Sequence, residues 1–399
     1  MRDFRDDMIA AIEGRPVDRI PWVPRLDLWF RANQLARTMP PGLEDASLED
    51  VCDVLNAGLH CVIPDFKGDP SPEAELDRAL GLYNLSTMPY HIVLEGVERR
   101  VTTDGDRIRT EYHTPEGMVD TVVRYTEDMR KAGVTVSHVE QPAIRDVKDY
   151  AAVGYIFEHA RVEPNYDGIN SMIQRVGQRG LVTGFISLAA SPMHLIQREL
   201  MAVDQFFYAM SDHQAELERL SERIALYWQR VLEVAVDSPA RIYLLGANYD
   251  AMITYPPFFR DHIAPWLGRF GQMLHQRGKY LLTHTDGENT GLLEHYAKSS
   301  IDVADSVCPY PMTKLSFAES RAVLKPAGIT IMGGIPSIAL VRSSMNDRQF
   351  DEFLDGFFRE IDCGDRLILG ISDTTPPGAD FDRLRQIGRR VADFGPPRR

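Results

Sequence analysis

One short segment of this chain carries an imidazole and two carboxylates directly after an apolar run. The apolar residues at 280–283 predict a buried strand, and His284, Asp286 and Glu288 follow within six positions. A parallel strand that delivers such groups at its carboxyl end is how α/β folds build active sites. We predict that all three residues are catalytic and that His284 and Asp286 bind a metal ion. Two of these residues also have a structural alternative: His284 could only form hydrogen bonds within the fold, and Glu288 could cap the helix that follows.

Two further side chains are candidate metal ligands because they follow neighbouring predicted strands. Cys308 comes after the apolar segment 301–307, and Asp373 follows the segment 367–372. Zinc accepts mixed nitrogen, sulfur and oxygen ligands, so either residue could complete a site around His284. A buried cysteine is more often an inert apolar side chain, and Asp373 could instead cap the turn before Pro376.

Candidate substrate-binding residues lie near three other predicted strand ends. If the segment 24–30 is extended, its side chains alternate between two faces, so that Arg25 and Asp27 lie on the same face. There the guanidinium could bind an anionic group or pair with Asp27. Asn248 and Asp250 follow the apolar run 241–245, and Asp65 follows 61–64. Asn and Asp also favour local turns, which is the structural alternative for these positions.

Strand-like and helix-like segments alternate along most of the chain, and this alternation predicts the fold. Alternating βα units favour a parallel sheet, and eight strands favour a (β/α)8 TIM barrel over an open sheet. The eight predicted strands lie at 20–28, 61–64, 181–186, 241–245, 280–283, 301–305, 329–332 and 367–370.

The 399 residues exceed the roughly 250 that a barrel needs. We therefore predict one barrel domain over residues 1–399, with a helical extension over the first 15 residues. A β-hairpin insertion over 97–137 is predicted to pack over the barrel mouth, because its alternating segments are separated by turn signals. The oligomeric state stays open, with a homodimer as one expected arrangement.

Composition excludes several classes of protein. The formal net charge is -14, whereas a nucleic-acid-binding protein normally presents a basic face. No apolar run approaches the roughly 20 residues of a membrane span, and the first residues are too charged for a signal peptide. The four cysteines are scattered, which favours a reducing cytoplasm over a disulfide framework.

Several short motifs, in this order, resemble the uroporphyrinogen decarboxylase superfamily. The run EGRPVDRIP at 13–21 is similar to the start of that superfamily, and His284-x-Asp286-Gly287 is similar to its His-x-Cys-Gly motif. Residues 333–336 and 368–373 fall where its last two strands end. Thr114-Pro115-x-Gly117, followed by 146–150, resembles the corrinoid-dependent methyltransferase branch more than the haem-pathway decarboxylases.

The resemblance implies a TIM barrel whose site lies at the carboxyl ends of the strands. In the methyltransferase branch it implies zinc held by the histidine and cysteine of His-x-Cys and by a later cysteine. Here position 286 is Asp, and Ser372 and Asp373 stand at the last strand end. Decarboxylase relatives hold substrate carboxylates with arginines near the position of Arg25, but their Arg-Gln-Ala-Gly run is absent.

Three functional hypotheses follow. The preferred one is a methyltransferase that moves a methyl group between a small substrate (a methyl ether, amine or thiol) and the corrinoid of a partner protein, assisted by Zn²⁺. The second is a cofactor-free decarboxylase of a carboxylated small molecule or a tetrapyrrole. The third is a non-catalytic barrel that binds a corrinoid or porphyrinoid.

Overall fold

A six-stranded parallel sheet forms the centre of the molecule. The computed structural model describes residues 2–69, 71 and 73–397. The sheet strands are β7 (Thr183–Ser187), β8 (Ile242–Ala247), β9 (Tyr280–His284), β10 (Val303–Val307), β11 (Thr330–Pro336) and β12 (Leu367–Ser372). Their order in the sheet is β12-β11-β10-β9-β8-β7, so that each strand pairs with the next one along the chain. Nearly all of their residues are buried, as expected for apolar strands covered on both faces.

Helices connect and flank these strands. Two of these helices begin with capping boxes, formed by Ser316 with Glu319 and by Asn346 with Gln349. The helices are α1 (Phe4–Glu13), α2 (Asp27–Ala36), α3 (Leu48–Val54), α4 (Glu127–Lys131), α5 (Tyr150–Glu158), α6 (Tyr166–Val176), α7 (Pro192–Leu195), α8 (Val203–Asp212), α9 (Gln214–Asp237), α10 (Pro256–Phe258), α11 (Ala264–His275), α12 (Leu293–Tyr296), α13 (Phe317–Leu324), α14 (Asp347–Glu360) and α15 (Phe381–Phe394). Single π-helical turns follow α7 and α10, at Ile196–Leu200 and Phe259–Ile263.

The inner face of the sheet curves around a common centre. One side chain from each of the six strands lines a void of only about 10 Å³, together with Val62 and two residues of α1, Met8 and Ile12. The sheet is therefore strongly curved, and the predicted N-terminal helix packs into its centre. Every side chain in this layer is apolar except Thr183, so the layer stabilises the fold instead of forming a channel.

Two predicted strands do not form as predicted. Residues 20–28 contribute a single parallel bridge between Trp22 and Leu369, and α2 already begins at Asp27. Residues 61–64 form no strand. Proline explains both results, because Pro21, Pro24 and Pro64 have no backbone N–H to donate to a ladder. The part of the chain that the structure describes thus forms a six-stranded sheet, not a continuous closed ladder of eight.

Hydrogen bonds nevertheless join these two segments to the edges of the sheet. The Val23 N–H donates to the Leu369 carbonyl at 2.8 Å, beside β12. The Thr183 N–H donates to the Cys61 carbonyl at 3.0 Å, beside β7. The Gly58 N–H donates to the Trp22 carbonyl at 2.8 Å, so the two segments also contact each other.

The predicted insertion is larger than a hairpin. It is a four-stranded antiparallel sheet in which each strand pairs with the next one along the chain. Its last strand ends at Gln141, four residues beyond the predicted limit of 137. The strands are β2 (Glu98–Asp104), β3 (Arg107–Thr114), β4 (Gly117–Arg124) and β5 (His138–Gln141); β1 (Tyr90–Leu94) and β6 (Ala160–Pro164) pair separately. The insertion contacts the segment 67–80, where the Tyr112 hydroxyl donates to Asp77 at 3.0 Å.

Among the helices of the described residues, none combines the length and apolarity needed to cross a bilayer.

Candidate metal and active site

His284 is the last residue of β9, and its ring is held by a carboxylate of the neighbouring strand. The parallel register places Asp305 of β10 beside His284. The Nδ1 atom of His284 lies 2.7 Å from Asp305 Oδ2, and both side chains are only 2% exposed. This bond fixes the orientation of the imidazole, so Nε2 points away from Asp305.

Two carboxylates from different strand ends converge on that free nitrogen. Nε2 of His284 lies 3.2 Å from Asp373 Oδ1 and 3.4 Å from Asp286 Oδ1. One potential ligand atom from each of His284, Asp286 and Asp373 lies within 4.8 Å of the others. Asp373 follows β12 and Asp286 follows β9, so the convergence depends on the curvature of the sheet.

The donor set fits a divalent cation. Asp286 Oδ1 is buried and has no hydrogen-bond partner among the described residues, and an orphaned buried oxygen costs free energy unless something binds it. One imidazole nitrogen and two carboxylate oxygens are ligands that zinc accepts, with a position left for a substrate. The carboxylate behind the imidazole is the usual support of a metal-binding histidine.

The charge balance of the cluster also favours a cation. Four carboxylates (Asp27, Asp286, Asp305 and Asp373) are grouped around one guanidinium, that of Arg25. A neutral His284 therefore leaves three negative charges uncompensated. Bound cations compensate such groups of carboxylates in proteins.

The pKa values of the cluster respond to burial and to the short distances between its charges. Burial alone would lower the pKa of His284, but Asp286, Asp373 and Asp305 together raise it well above its ordinary value. Burial would raise the pKa of Asp305, but the His284 imidazolium lowers it to about 2. Burial raises the pKa of Asp286. Without a cation, the His284 imidazole is thus positively charged and forms ion pairs with three carboxylates.

Arg25 and Asp27 lie next to this cluster. The Nη1 atom of Arg25 donates to Asp373 Oδ1 at 3.0 Å, and its Nε donates to Asp27 at 3.3 Å. The predicted ion pair between Arg25 and Asp27 is therefore present. Arg25 also holds Asp373 in place.

Asn248 reaches the cluster from the end of β8. Its side-chain amide donates to Asp286 Oδ2 at 3.0 Å, and its oxygen accepts from Arg198 at 3.3 Å. Asn248 has a φ of 57°, the left-handed conformation that Asn tolerates better than most residues. Asn248 therefore orients Asp286 through Oδ2, while Oδ1 remains available to bind a cation.

Four other candidate residues are not part of the cluster. Glu288 accepts hydrogen bonds from the backbone N–H groups of Thr290 and Lys314, which ties the loops after β9 and β10 together. Cys308 is buried and donates to the Ser306 carbonyl at 3.5 Å; burial raises the pKa of its thiol.

The other two carboxylates form local contacts. Asp250 accepts a hydrogen bond from the Met252 N–H, and Asp65 accepts one from the Arg31 guanidinium.

Sequence reasoning missed three residues that shape the site. Asp305 and Arg198 are described above, and His60 Nε2 lies 3.9 Å from the second oxygen of Asp305. A carboxylate inside the fully buried strand 303–307 was a usable signal for Asp305, because buried strands rarely contain an unpaired charge. Arg198 gives no such signal, since it lies in a π-helical turn that the sequence pattern does not indicate.

Comparisons with known proteins give a likeness of fold. No protein-family model matches the chain, and no curated protein matches it. Solved structures do match. One of them is a methyltransferase from Methanosarcina mazei, with a TM-score of 0.51 and 13% sequence identity over 99% of both chains. At this identity the match shows a shared fold over the full length.

Proposed function

We propose that this protein is a metal-assisted methyltransferase. The observation that carries the proposal is the convergence of His284, Asp286 and Asp373, in which a buried Asp286 oxygen lacks a partner. The site stands at the carboxyl ends of parallel strands, where barrel enzymes place their chemistry. The full-length structural likeness to a protein named as a methyltransferase supports the choice of reaction.

We assign the metal to His284 Nε2, Asp286 Oδ1 and Asp373 Oδ1, with zinc as the expected ion. When bound, a zinc ion would supply Lewis acidity, which would polarise a methyl-bearing heteroatom or lower the pKa of an acceptor thiol. Asp305 keeps the Nε2 lone pair directed at the site by accepting the proton on Nδ1. Arg25 and Asn248 orient the two carboxylates. These residues preorganise the site before substrate binds.

The methyl carrier is proposed to be the corrinoid of a separate partner protein. Apolar side chains are exposed on the loops after β8, β10 and β11, around the metal cluster: Met252, Ile253, Tyr310, Met312 and Ile338. Met252 is 81% exposed and Tyr310 is 68% exposed. Apolar side chains grouped at the rim of a site are typical of surfaces that another molecule covers.

We also infer that the six-stranded sheet is part of a closed (β/α)8-type barrel. The hydrogen bonds from residues 20–25 to β12, from 57–61 to β7, and between these two segments support closure. The layer of side chains from all six strands around one small void supports it as well. Prolines explain why the two closing segments lack regular ladders.

The test is an absorbance assay of cobalt methylation. Zinc-loaded protein is mixed with a reduced corrinoid protein and a panel of methyl ethers, methylamines and methyl thioethers. We expect turnover with at least one donor, loss of turnover in His284→Ala, and an increased KM for the corrinoid protein in Met252→Asp with an unchanged zinc content. Absence of turnover with every donor and every corrinoid partner would contradict the proposal.

One observation favours a second candidate, a decarboxylase. Without a metal, the charged His284 lies in a buried cluster with the Arg25 guanidinium. An imidazolium can protonate a carbanion-like centre while an arginine holds a carboxylate. Release of carbon dioxide from a carboxylated substrate by the metal-free protein, without any corrinoid, would select this function.

A further inference from the structure

A cavity lies between the metal cluster and the inserted sheet, and its walls differ in chemistry. Its volume is about 430 Å³, within the range of small-molecule sites. One wall is apolar and comes from the insertion, through Met129, Val136 and Val139. A charged wall is formed by Arg78, Arg198 and Glu199, and Ser137 and His138 of the insertion also line the cavity.

The charged wall has one positive charge in excess. Glu199, which is 5% exposed, accepts from Arg78 at 2.5 Å through Oε2 and from Arg198 at 3.0 Å through Oε1. Two guanidiniums therefore share one buried carboxylate. The Nε atom of Arg78 is buried and has no hydrogen-bond partner within the described part of the chain. This wall can still donate hydrogen bonds and compensate one anionic charge.

Arg198 connects this cavity to the metal cluster. The same guanidinium that lines the cavity donates to Asn248 at 3.3 Å, and Asn248 donates to Asp286 at 3.0 Å. Its bonds to Asn248 Oδ1 and to the Ala247 carbonyl are both 3.3 Å long, which is beyond the usual range for N–H···O bonds. A bound anion would therefore compete with weak bonds, not with strong ones.

We infer that this cavity binds the anionic end of the substrate, so that the small molecule is a monoanion with a short apolar body. This inference rests on the proposed function, because it places the reacting end of the same molecule at the cluster of His284, Asp286 and Asp373. The single excess charge selects a carboxylate over a dianionic phosphate monoester. The apolar side chains of the insertion contact the body of the substrate, which makes the insertion a specificity element.

The first test needs no variant. Binding of butanoate, butanamide and butyl phosphate to the full-length, metal-free protein is measured by titration calorimetry. We expect butanoate to bind at least tenfold more tightly than each of the other two compounds. Equal affinity for the amide, tighter binding of the phosphate, or no binding of butanoate would overturn the inference.

Three variants locate the binding site. Arg198→Gln removes the excess charge and is expected to weaken butanoate binding at least tenfold. The double variant Arg78→Gln with Glu199→Gln removes a buried ion pair and the Arg78 donor but keeps the excess charge on Arg198, so it is expected to weaken butanoate binding less than Arg198→Gln does. Arg109→Gln, on the inserted sheet but outside the cavity, is the matched control and should not change affinity. Unchanged binding in Arg198→Gln would overturn the inference.

The outcome is separable from that of the proposed function. Arginine-dependent carboxylate binding without methyl transfer would support this cavity as an anion site while removing the methyltransferase proposal. Methyl transfer from neutral donors only, without butanoate binding, would support the methyltransferase and overturn the anion site.

Discussion

At the scale of single residues, Asp305 is the side chain on which the site geometry depends most. It accepts the Nδ1 proton of His284 at 2.7 Å, and burial of both groups leaves them no water as an alternative partner. When His284 is neutral, the imidazole is thereby fixed in the tautomer that presents the Nε2 lone pair to the metal site between Asp286 and Asp373. Removing a carboxylate behind a metal-bound histidine typically lowers metal affinity by about 10–100-fold.

We therefore expect Asp305→Asn to weaken zinc binding by roughly 10–100-fold while the fold is kept. Competition with a chromophoric chelator measures the affinity. Asp302→Asn is the matched control, because Asp302 precedes the same strand but binds His275 and the Leu281 N–H instead. Equal zinc affinity in Asp305→Asn and the parent protein would show that His284 does not depend on Asp305.

The sequence predicted part of this residue set. His284, Asp286, Asp373, Arg25 and Asn248 were all identified as candidates, because polar groups at the ends of apolar strands stand out in a pattern. Glu288, Cys308, Asp250 and Asp65 share that position in the pattern, but their side chains form other hydrogen bonds. Which partner a side chain meets depends on the twist and curvature of the sheet, which hydrophobic periodicity does not specify.

At the scale of elements, the start of α7 contains a buried neutral histidine. Nδ1 of His194 accepts from the Ala190 N–H at 3.1 Å, and the ring stacks on Tyr249 with centroids 5.5 Å apart. Burial, with a further contribution from Arg198, lowers the pKa of His194 to about 3. The unfolded chain protonates this histidine near pH 6.5, whereas the folded protein does so only near pH 3.

The sign of the stability effect follows from this difference. Between these two pKa values the unfolded state binds one proton more than the folded state, so stability is full above pH 6.5 and falls as the pH is lowered. From pH 6.5 to pH 4.5 we expect His194 to account for a loss of roughly 2 kcal/mol in the free energy of unfolding.

Urea unfolding at both pH values, with His194→Gln as the comparison, tests this expectation. The variant should be less stable at pH 6.5 but lose less stability on acidification, because glutamine does not titrate. An identical pH dependence in the two proteins would mean that His194 is protonated as readily in the folded protein as in the unfolded chain, which would contradict the expectation.

At the same scale, sequence periodicity predicted the six sheet strands well. It failed for the two segments that flank the sheet, since apolar residues at 20–28 and 61–64 resemble strands while their prolines prevent regular pairing. It also underestimated the insertion. The pairing of β5 with β4 involves a bulge between Val122 and Val123, and such a bulge has no signature in the residue pattern.

At the scale of the whole molecule, the proposed closure of the sheet would hold the site together. The Gly58 N–H to Trp22 carbonyl bond and the Thr183 N–H to Cys61 carbonyl bond are the contacts that would complete the cylinder. A closed cylinder keeps the ends of β9 and β12 at a fixed distance and thereby holds His284 and Asp373 together.

Hydrogen exchange measures closure directly. Amides that are bonded within a stable core exchange only through large openings. We therefore expect the Val23, Gly58 and Thr183 amides to exchange as slowly as those in β8 and β9. Exchange at the rate of the exposed loops would show that the two segments are not part of the cylinder.

The central claim is that His284, Asp286 and Asp373 bind one divalent metal ion, and titration of the metal-stripped protein with zinc tests it most directly. We predict one ion per chain, a loss of affinity of at least about a hundredfold in His284→Ala and in Asp286→Asn, and nearly unchanged affinity in Cys308→Ser. No zinc binding by the unmodified protein, or binding that persists in His284→Ala, would contradict the account.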